Sequence, residues 1–185
     1  APLLWSSPFV RWQGSAADIS SLDLAVQVTR DALATRQFDA AAEVDQLVLG
    51  STVPQPHSFY GPPWVAARLG LAGVGGPLVS QACATAVACL ATAASASMLS
   101  GGRTQLVVTA DRTSNGPLLV YPRGQGMGGS PTTEHWVLDA FAADPGTGES
   151  MVHTAEATAR EAGFTRAQCD ELTLLRFGQY QSALR

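Results

Sequence analysis

The hydrophobic and polar positions in the first part of the chain alternate between helical and strand spacing. Apolar residues recur about every three or four positions over residues 20–35, which predicts an amphipathic helix with serine caps at its start. A proline-rich loop over residues 52–63 leads into a short helix predicted over 64–69, which ends at Gly70. Short apolar runs bounded by turn residues predict strands over residues 3–12, 44–50, 77–81 and 105–110.

A helix made almost entirely of small residues follows the strand predicted over residues 77–81. Its sequence, ACATAVACLATAASASMLS, carries alanine, serine, threonine or valine on every side, and Gly101 and Gly102 end it. A helix that is apolar all round is buried, and small side chains let neighbouring elements approach closely. With a strand on either side it forms a unit that is typical of a parallel sheet. We therefore predict an α/β fold with this helix at its centre.

The composition of the chain changes after Arg112. Residues 113–136 are rich in glycine, proline, serine and threonine, which predicts a loop-rich excursion, and two segments with helical periodicity follow at 151–162 and 165–185. We therefore divide the chain into an α/β domain over residues 1–112 and a partial, loop-rich region with helices over 113–185.

One glycine-rich run within the second region superficially suggests a phosphate-binding loop. This run, GQGMGG at residues 124–129, has no strand leading into it and no Lys-Ser/Thr after it. We predict a flexible loop there.

Composition and charge exclude several classes of function. The chain has 185 residues, of which 46% are hydrophobic and 14% charged, as in ordinary globular domains. Its formal charge of −4 gives no electrostatic reason to expect nucleic acid or an anionic membrane surface as a partner. The sequence has no uninterrupted apolar run of about 18 residues, so no membrane span is predicted. It also lacks metal-ligand spacing and a close carboxylate pair, so neither a metal site nor a glycosidase is predicted.

The cysteine content predicts where the protein works. Three cysteines, an odd number without the spacing of a disulfide framework, predict a reducing compartment. No basic segment followed by an apolar core and a cleavage site is visible, so no secretory signal is predicted. Both observations predict a cytoplasmic protein.

Cys83 lies between a predicted buried strand and the first turn of the small-residue helix. That position is near the positive end of the helix dipole and among backbone N–H groups that have no partner inside the helix. Such surroundings favour the thiolate and can stabilise an oxyanion that forms on an attacked carbonyl. A nucleophile fits this position, but so does a free cysteine that packs as a small hydrophobic residue. Position alone leaves both interpretations open.

The other cysteines and the histidines are predicted to be structural. Cys89 lies in mid-helix, away from the helix end, and Cys169 begins a later helix beside two carboxylates that oppose a thiolate. Three histidines lack the partner spacing of a catalytic base, and we predict surface or packing roles for all of them: His57, His135 and His153.

Four stretches of the chain resemble thiolases, in the order and spacing of that family. SQACATAVACLATAASASMLSGGRTQLVVTADRTSNGPLL is similar to the nucleophile segment, in which a cysteine opens an alanine-rich helix and a Met/Arg-x-Ser-Asn-x-Pro motif follows the next strand. Here that motif is RTSNGP at residues 112–117. SMVHTAEATAREAGFTRAQCDEL resembles the stretch Met-Gly-x-Thr-Ala-Glu with its helix and a following Phe-Thr-Arg. EVDQLVLGSTVPQ and PPWVAARLGL resemble the strand and helix before the nucleophile, so the resemblance covers nearly the whole chain.

The resemblance implies both a fold and a chemistry. It implies layered α/β/α units, with the nucleophile-bearing helix buried between sheets, and a tight homodimer. It implies that the Cys83 thiolate accepts an acyl group from an acyl-CoA or a 3-oxoacyl-CoA and passes it to CoA or acetyl-CoA. Coenzyme A is then a substrate rather than a permanently bound cofactor. Met151 matches a methionine that lines the acyl pocket, and Val137 corresponds to a residue near bound CoA.

The chain departs from the family in sequence and in length. CATA at residues 83–86 replaces the common Cys-x-Ser-Gly, and SMV at 150–152 replaces His-Met-Gly. Thiolase chains are far longer, and their second half supplies a histidine and a second cysteine that act in acid–base catalysis. The isolated chain is therefore expected to be an inactive, incomplete thiolase. The missing residues would come from a C-terminal half or a partner, and some divergent thiolases work beside a small acyl-CoA-binding subunit.

Two other functions stay open at this point. One is a ketoacyl synthase-like condensing enzyme for carrier-bound acyl groups, which the missing half would distinguish because synthases use histidines where thiolases use a second cysteine. The other is a non-catalytic subunit that binds CoA or only supports a dimer. The presence of Cys83 at a helix start argues against the second alternative.

Overall fold

The structure, a computed structural model, describes residues 3–7, 10–114, 116–122 and 128–183. The chain divides into two compact units, Ala1–Pro117 and Leu118–Arg185. The change from one unit to the next comes a few residues after the change in composition at Arg112. Each unit is built from its own secondary structure.

A parallel sheet of three strands organises the first unit. Strand β1 spans Gln46–Gly50, β2 spans Leu78–Val79 and β3 spans Gln105–Thr109. The strand order is β2-β1-β3, and both pairs are parallel. Gly50 at the end of β1 lies opposite Val79 and Thr109, so all three strands end at one edge. This confirms the predicted α/β class.

Successive residues of β1 pack against different helices because side chains of a strand alternate between its two faces. Leu47 and Leu49 pack in one buried cluster with residues of helices α1, Ser21–Thr35, and α3, Gly61–Arg68. Val48 packs in a second cluster with Cys89 and Ala93 of helix α4, Thr85–Leu99. The sheet therefore lies between α1 and α3 on one face and α4 on the other. A short helix α2, Ala40–Glu43, precedes β1.

Helix α4 is buried on one face and exposed on the other. Its buried residues, Thr85, Cys89 and Ala93, recur every four positions and face the sheet. Its exposed large apolar residues are Val87, Leu90, Met98 and Leu99. The prediction of a helix buried on all sides thus holds for one face within this chain. By length and composition, Ala82–Leu99 is the one helical stretch among the described residues that could cross a membrane, a test that core helices of soluble proteins also pass.

The strand predicted over residues 3–12 is wrong for the described part of that segment. Residues 3–7 and 10–12 form no strand. Pro2 and Pro8 have no N–H to donate to a ladder, which disfavours strand pairing there. The segment is held by side chains instead: Arg36 donates to the carbonyl oxygen of Leu4 at 2.7 Å, and Trp5 packs against the core.

Helix α3 begins earlier than its predicted bounds. It starts at Gly61 and includes Pro62 and Pro63 in its first turn. Proline is tolerated there because its missing N–H would have no partner inside the helix anyway. The prolines therefore open the helix rather than extend the loop.

The second unit contains a hairpin where the sequence predicts only a loop-rich excursion. Strands β4, Leu118–Tyr121, and β5, Thr132–His135, pair antiparallel. Tyr121 donates its hydroxyl to a carboxylate oxygen of Glu134 at 2.9 Å. Most of the connecting segment, including residues 124–127 of the glycine-rich run, lies outside the described residues.

Three helices complete the second unit. Helix α5 spans Leu138–Ala142, α6 spans Met151–Glu161 and α7 spans Arg166–Ala183. The predictions of helices over residues 151–162 and 165–185 are confirmed over the described residues. Gly163, with φ of 74°, separates α6 from α7.

Asp144 in the turn between α5 and α6 makes stability depend on pH. Its Oδ1 accepts hydrogen bonds from Thr147 N and Gly146 N, each at 2.8 Å, which lower the pKa of the carboxyl group. A lowered folded-state pKa adds stability that is present above the ordinary value and lost as pH falls through the folded-state value. We expect Asp144→Asn to lower the urea midpoint at about pH 6 and not at about pH 2. An equal decrease at both pH values would contradict this.

Candidate functional site at the carboxyl edge of the sheet

The residues that follow the three parallel strands meet at one edge of the first unit. Ser51, Thr52 and Val53 follow β1, Cys83 lies in the turn after β2, and Asp111 follows β3. A cavity of about 250 Å³ borders Cys83 at this edge. It is lined by Gly50, Ala82, Cys83, Thr85, Ala86, Thr109, Ala110 and Asp111.

Cys83 is presented to solvent rather than packed. It lies in a 3₁₀ turn, Ala82–Ala84, that leads directly into α4, and its side chain is exposed. Ala84 N donates to Gln81 O at 2.9 Å and closes the turn. Ala82 has a φ of 44°, in the left-handed region that residues with a Cβ rarely occupy. Cys83 therefore does not pack as a small buried residue within this chain.

The hydroxyl of Thr85 ties this turn together. Thr85 Oγ1 accepts from Gln81 N at 2.8 Å and donates to Ala82 O at 2.8 Å. It also lies 2.9 Å from Thr52 Oγ1, in the loop after β1. Thr85 is buried, and its three hydrogen-bond contacts are partly buried.

Asp111 fixes the loop after β1. Its Oδ1 accepts from Thr52 N at 2.8 Å, Val53 N at 2.7 Å and Ser51 Oγ at 3.2 Å. Its Oδ2 lies 3.1 Å from Thr52 N. Hydrogen bonds to an ionised carboxylate are about twice as strong as neutral ones. The end of β3 is thereby joined to the loop that contacts the Cys83 turn.

A larger cavity of about 550 Å³ runs along the outer edge of β3. It is lined mainly by apolar residues of α1, β3 and the N-terminal segment, and it shares Ala86, Thr109, Ala110 and Asp111 with the smaller cavity. Cys83 lines the smaller cavity and not the larger one. We therefore assign the chemistry to the smaller cavity.

The other two cysteines have the surroundings predicted for them. Cys89 is fully buried between α4 and the sheet, and this burial raises the pKa of its thiol. Cys169 in α7 is exposed. Neither lines the cavity beside Cys83.

Met151 and Val137 belong to the second unit. Met151 is the first residue of α6 and is partly exposed, and Ser150 Oγ caps this helix by accepting from His153 N. Val137 precedes α5 and is buried, and its carbonyl accepts from Phe141 N at 3.0 Å. Their predicted contacts with the acyl chain and with CoA stay predictions.

Each histidine has a local structural partner. His57 stacks on Trp64 with ring centroids 5.3 Å apart. His135 Nδ1 accepts from Leu138 N at 3.1 Å, and His153 lies 3.1 Å from a carboxylate oxygen of Glu149. These contacts fit the predicted packing and surface roles.

The fold is similar to that of solved thiolases, whereas neither a protein-family model nor a curated protein sequence matches the chain. The human mitochondrial 3-ketoacyl-CoA thiolase in complex with CoA superposes with a TM-score of 0.78 at 19% identity, over 96% of this chain and 45% of that one. The Ascaris suum thiolase in complex with coenzyme A gives 0.74 at 17% identity, over 94% of this chain and 45% of that one. The acetyl-CoA acetyltransferase of Syntrophomonas wolfei superposes with a TM-score of 0.69 at 25% identity, over 91% of this chain and 43% of that one. The chain spans less than half the length of these solved structures.

Proposed function

Because the chain has the thiolase fold over part of a thiolase's length, we propose that it is the nucleophile-bearing half of a thiolase-type acyltransferase. The observation that carries this proposal is the presentation of Cys83. Its exposed thiol opens helix α4 at the carboxyl edge of a parallel sheet, beside a cavity of about 250 Å³. Ligands of open α/β sheets bind at that edge of the sheet.

The proposed step transfers an acyl group to Cys83. The thiolate of Cys83 attacks the thioester carbonyl of an acyl-CoA, or the 3-keto carbonyl of a 3-oxoacyl-CoA, and forms a new S–C bond. The bond from the acyl carbon to the CoA sulfur, or to carbon 2 of the 3-oxoacyl group, then breaks, and the leaving thiolate or carbanion takes up a proton. Backbone N–H groups at the start of α4 can stabilise the intermediate oxyanion. The acyl group then passes to CoA or to acetyl-CoA.

Coenzyme A is proposed as a substrate of this reaction, not as a resident cofactor. The solved thiolases from human mitochondria and from Ascaris suum are complexes with CoA, which supports the same ligand class here. Met151 is proposed to line the acyl pocket and Val137 to lie near CoA, as their matches in the family motif imply. The reducing environment that a free thiol needs supports a cytoplasmic location.

The exposed face of α4 supports a partner for this chain. Val87, Leu90, Met98 and Leu99 are more than half exposed on one helix. Large apolar side chains exposed together on one helix favour an interaction site. We propose that a second copy, the C-terminal half of the enzyme or a small acyl-CoA-binding subunit covers it.

The acid and base of the reaction are proposed to come from that partner as well. His57 is the one histidine of residues 1–117, and its ring is stacked on Trp64. A thiolase-type reaction needs a group that protonates the leaving thiolate or carbanion and one that activates the acceptor. The isolated chain is therefore expected to turn over poorly without its complement.

The test is mass spectrometry of the protein purified from its source together with any companion chain. After incubation with acetyl-CoA, we expect a peptide that contains Cys83 to carry an acetyl group, and added CoA to remove it. Native spectra would report the size of the assembly. An unmodified Cys83 in the complete assembly would overturn the proposal in favour of a non-catalytic CoA-binding or dimerising subunit. Acylation from a carrier protein but not from CoA would favour a ketoacyl synthase-like enzyme.

A further inference from the structure

We infer that Thr85 and Asp111 are positioning residues for Cys83 and act on it through one chain of hydrogen bonds. The inference deepens the proposed function and rests on it, because it names the groups that orient the proposed nucleophile. We call this set of contacts the positioning chain; it consists of Asp111, Thr52, Thr85 and the backbone of residues 81–82.

The first step of the positioning chain is the hydroxyl of Thr85, whose hydrogen-bonding capacity is fully used. A threonine hydroxyl has one hydrogen to donate and two lone pairs to accept. The carbonyl of Ala82, at 2.8 Å, takes the hydrogen, and Gln81 N occupies one lone pair at 2.8 Å. The second lone pair is then available to Thr52 Oγ1 at 2.9 Å. The hydroxyl thus bonds both residues that precede Cys83 and also the neighbouring loop.

The second step is the hydroxyl of Thr52, which spans from the β1 loop to the Cys83 turn. With the Thr85 hydrogen directed to Ala82 O, Thr52 is the donor to Thr85 Oγ1. Thr52 Oγ1 also lies 3.3 Å from Ala82 O. The position of the turn before Cys83 therefore depends on where the Thr52 backbone is held.

The third step is the carboxylate of Asp111, which holds that backbone. It accepts from two successive N–H groups, Thr52 N at 2.8 Å and Val53 N at 2.7 Å. Two charge-assisted bonds to one loop leave the loop little freedom. Asp111 follows β3, so it ties the Cys83 turn to the rigid sheet and not merely to a neighbouring loop.

The turn needs such support because of the backbone at Ala82. A residue with a Cβ at φ of 44° is strained and persists where the surrounding contacts fix it. The positioning chain supplies a hydrogen bond from Thr85 Oγ1 to the carbonyl of this same residue, and Thr52 Oγ1 lies 3.3 Å from that carbonyl oxygen. Cys83 comes next in the chain, so the direction of its Cα–Cβ bond follows from the conformation held at Ala82.

The experiment compares four variants of the 185-residue chain with the wild type. Thr85→Val keeps the shape of the side chain and removes its hydroxyl, Thr85→Ser keeps the hydroxyl, and Asp111→Asn removes the charge. The matched control is Thr92→Val, which removes a hydrogen bond from Thr92 Oγ1 to Ala88 O, also 2.8 Å long, further along the same helix. Urea unfolding of each variant measures how much structure is lost.

The readout is acylation of Cys83 by phenyl thioacetate, a thioester that requires no recognition of CoA. Iodoacetamide alkylation, which forms no oxyanion, is measured beside it, and the exposed Cys169 is the internal reference. We expect acylation of wild-type Cys83 to exceed that of Cys169 by about tenfold or more, because backbone N–H groups at the start of α4 can stabilise the oxyanion. We expect Thr85→Val to slow it about tenfold and Thr85→Ser by less than about twofold, with little change in alkylation. The acylation rate of Asp111→Asn should lie between the rates of Thr85→Val and Thr85→Ser.

The outcomes separate this inference from the proposed function. Equal acylation rates in Thr85→Val and Thr92→Val would overturn the inference, as would a wild-type Cys83 that reacts no faster than Cys169. If Thr85→Val does not fold, Asp111→Asn and Thr85→Ser decide the matter, and wild-type rates in Asp111→Asn would count against the positioning chain. If phenyl thioacetate gives the expected pattern but acetyl-CoA never acylates Cys83 in the complete assembly, the positioning chain stands and the proposed function fails.

Discussion

Replacing Cys83 by alanine is expected to abolish acyl transfer to this protein. Acylation of the Cys83 peptide by acetyl-CoA should disappear, and turnover of the complete assembly should fall by more than about a thousandfold, because removing a nucleophile removes the covalent intermediate. The fold should be retained, since the side chain of Cys83 is exposed and fills no part of the core. Thioester hydrolysis and CoA release, followed spectroscopically, measure the loss.

The remaining cysteines provide matched controls for that result. Cys169→Ala removes another exposed thiol and should leave acylation unchanged. Cys83→Ser replaces the thiol by a hydroxyl of nearly the same size, but a serine is a poor nucleophile without an activating base. We expect Cys83→Ser to be as inactive as Cys83→Ala. If Cys83→Ala stays fully active and Cys169 is acetylated, Cys83 is not the nucleophile.

The sequence predicts the elements around Cys83 well because each has a strong local signal. The apolar run before Cys83 and the run over residues 105–110 have no helical periodicity, and glycines end the helix between them. Strand pairing then follows from general rules for parallel connections. These signals were sufficient to predict the α/β class and the position of Cys83 at a helix start. The predicted buried strand over residues 77–81 is wrong in its length and burial, because β2 covers only Leu78–Val79 and neither residue is buried.

The positioning chain has no such signal in the sequence. Thr52 and Asp111 lie on different connections and meet only because β1 and β3 are neighbours that end at the same edge. A composition typical of a loop does not predict a carboxylate that accepts hydrogen bonds from three donors. A structural clue was present all the same: an aspartate directly after a predicted strand lies at the edge where parallel strands end.

Two further features, the β4–β5 hairpin and the exposed face of α4, depend on strand pairing and on burial. The periodicity of the sequence indicates neither. The hairpin β4–β5 is formed by short, mixed strands far apart in a region rich in glycine and proline. The exposed face of α4 carries the same small and apolar residues as its buried face, so the sequence cannot tell which side the chain itself covers. Both features were beyond prediction because they depend on what packs against each segment.

Gly50 at the end of β1 lies close to side chains of helix α4. A Cβ built on Gly50 would lie 2.6 Å from Cys89 Sγ, 2.9 Å from Thr85 Cγ2 and 3.0 Å from Thr109 Cγ2. All three neighbours are side-chain atoms held between α4 and the sheet. The absence of a side chain at residue 50 therefore sets the distance from β1 to α4, and with it the position of Thr85 under the Cys83 turn.

Gly50→Ala is accordingly expected to lower the free energy of unfolding by about 2–3 kcal/mol, as overpacking of a buried contact does. Urea unfolding measures this value, and a double-mutant cycle with Cys89→Ala tests its cause. Removing Sγ relieves the shortest contact, so the double variant should be more stable than the sum of the single changes implies, by about 1 kcal/mol. Additivity within about 0.3 kcal/mol would mean that Cys89 is not what the methyl group meets. Gly50→Ala should also slow acylation of Cys83, because the displaced Thr85 no longer holds the turn.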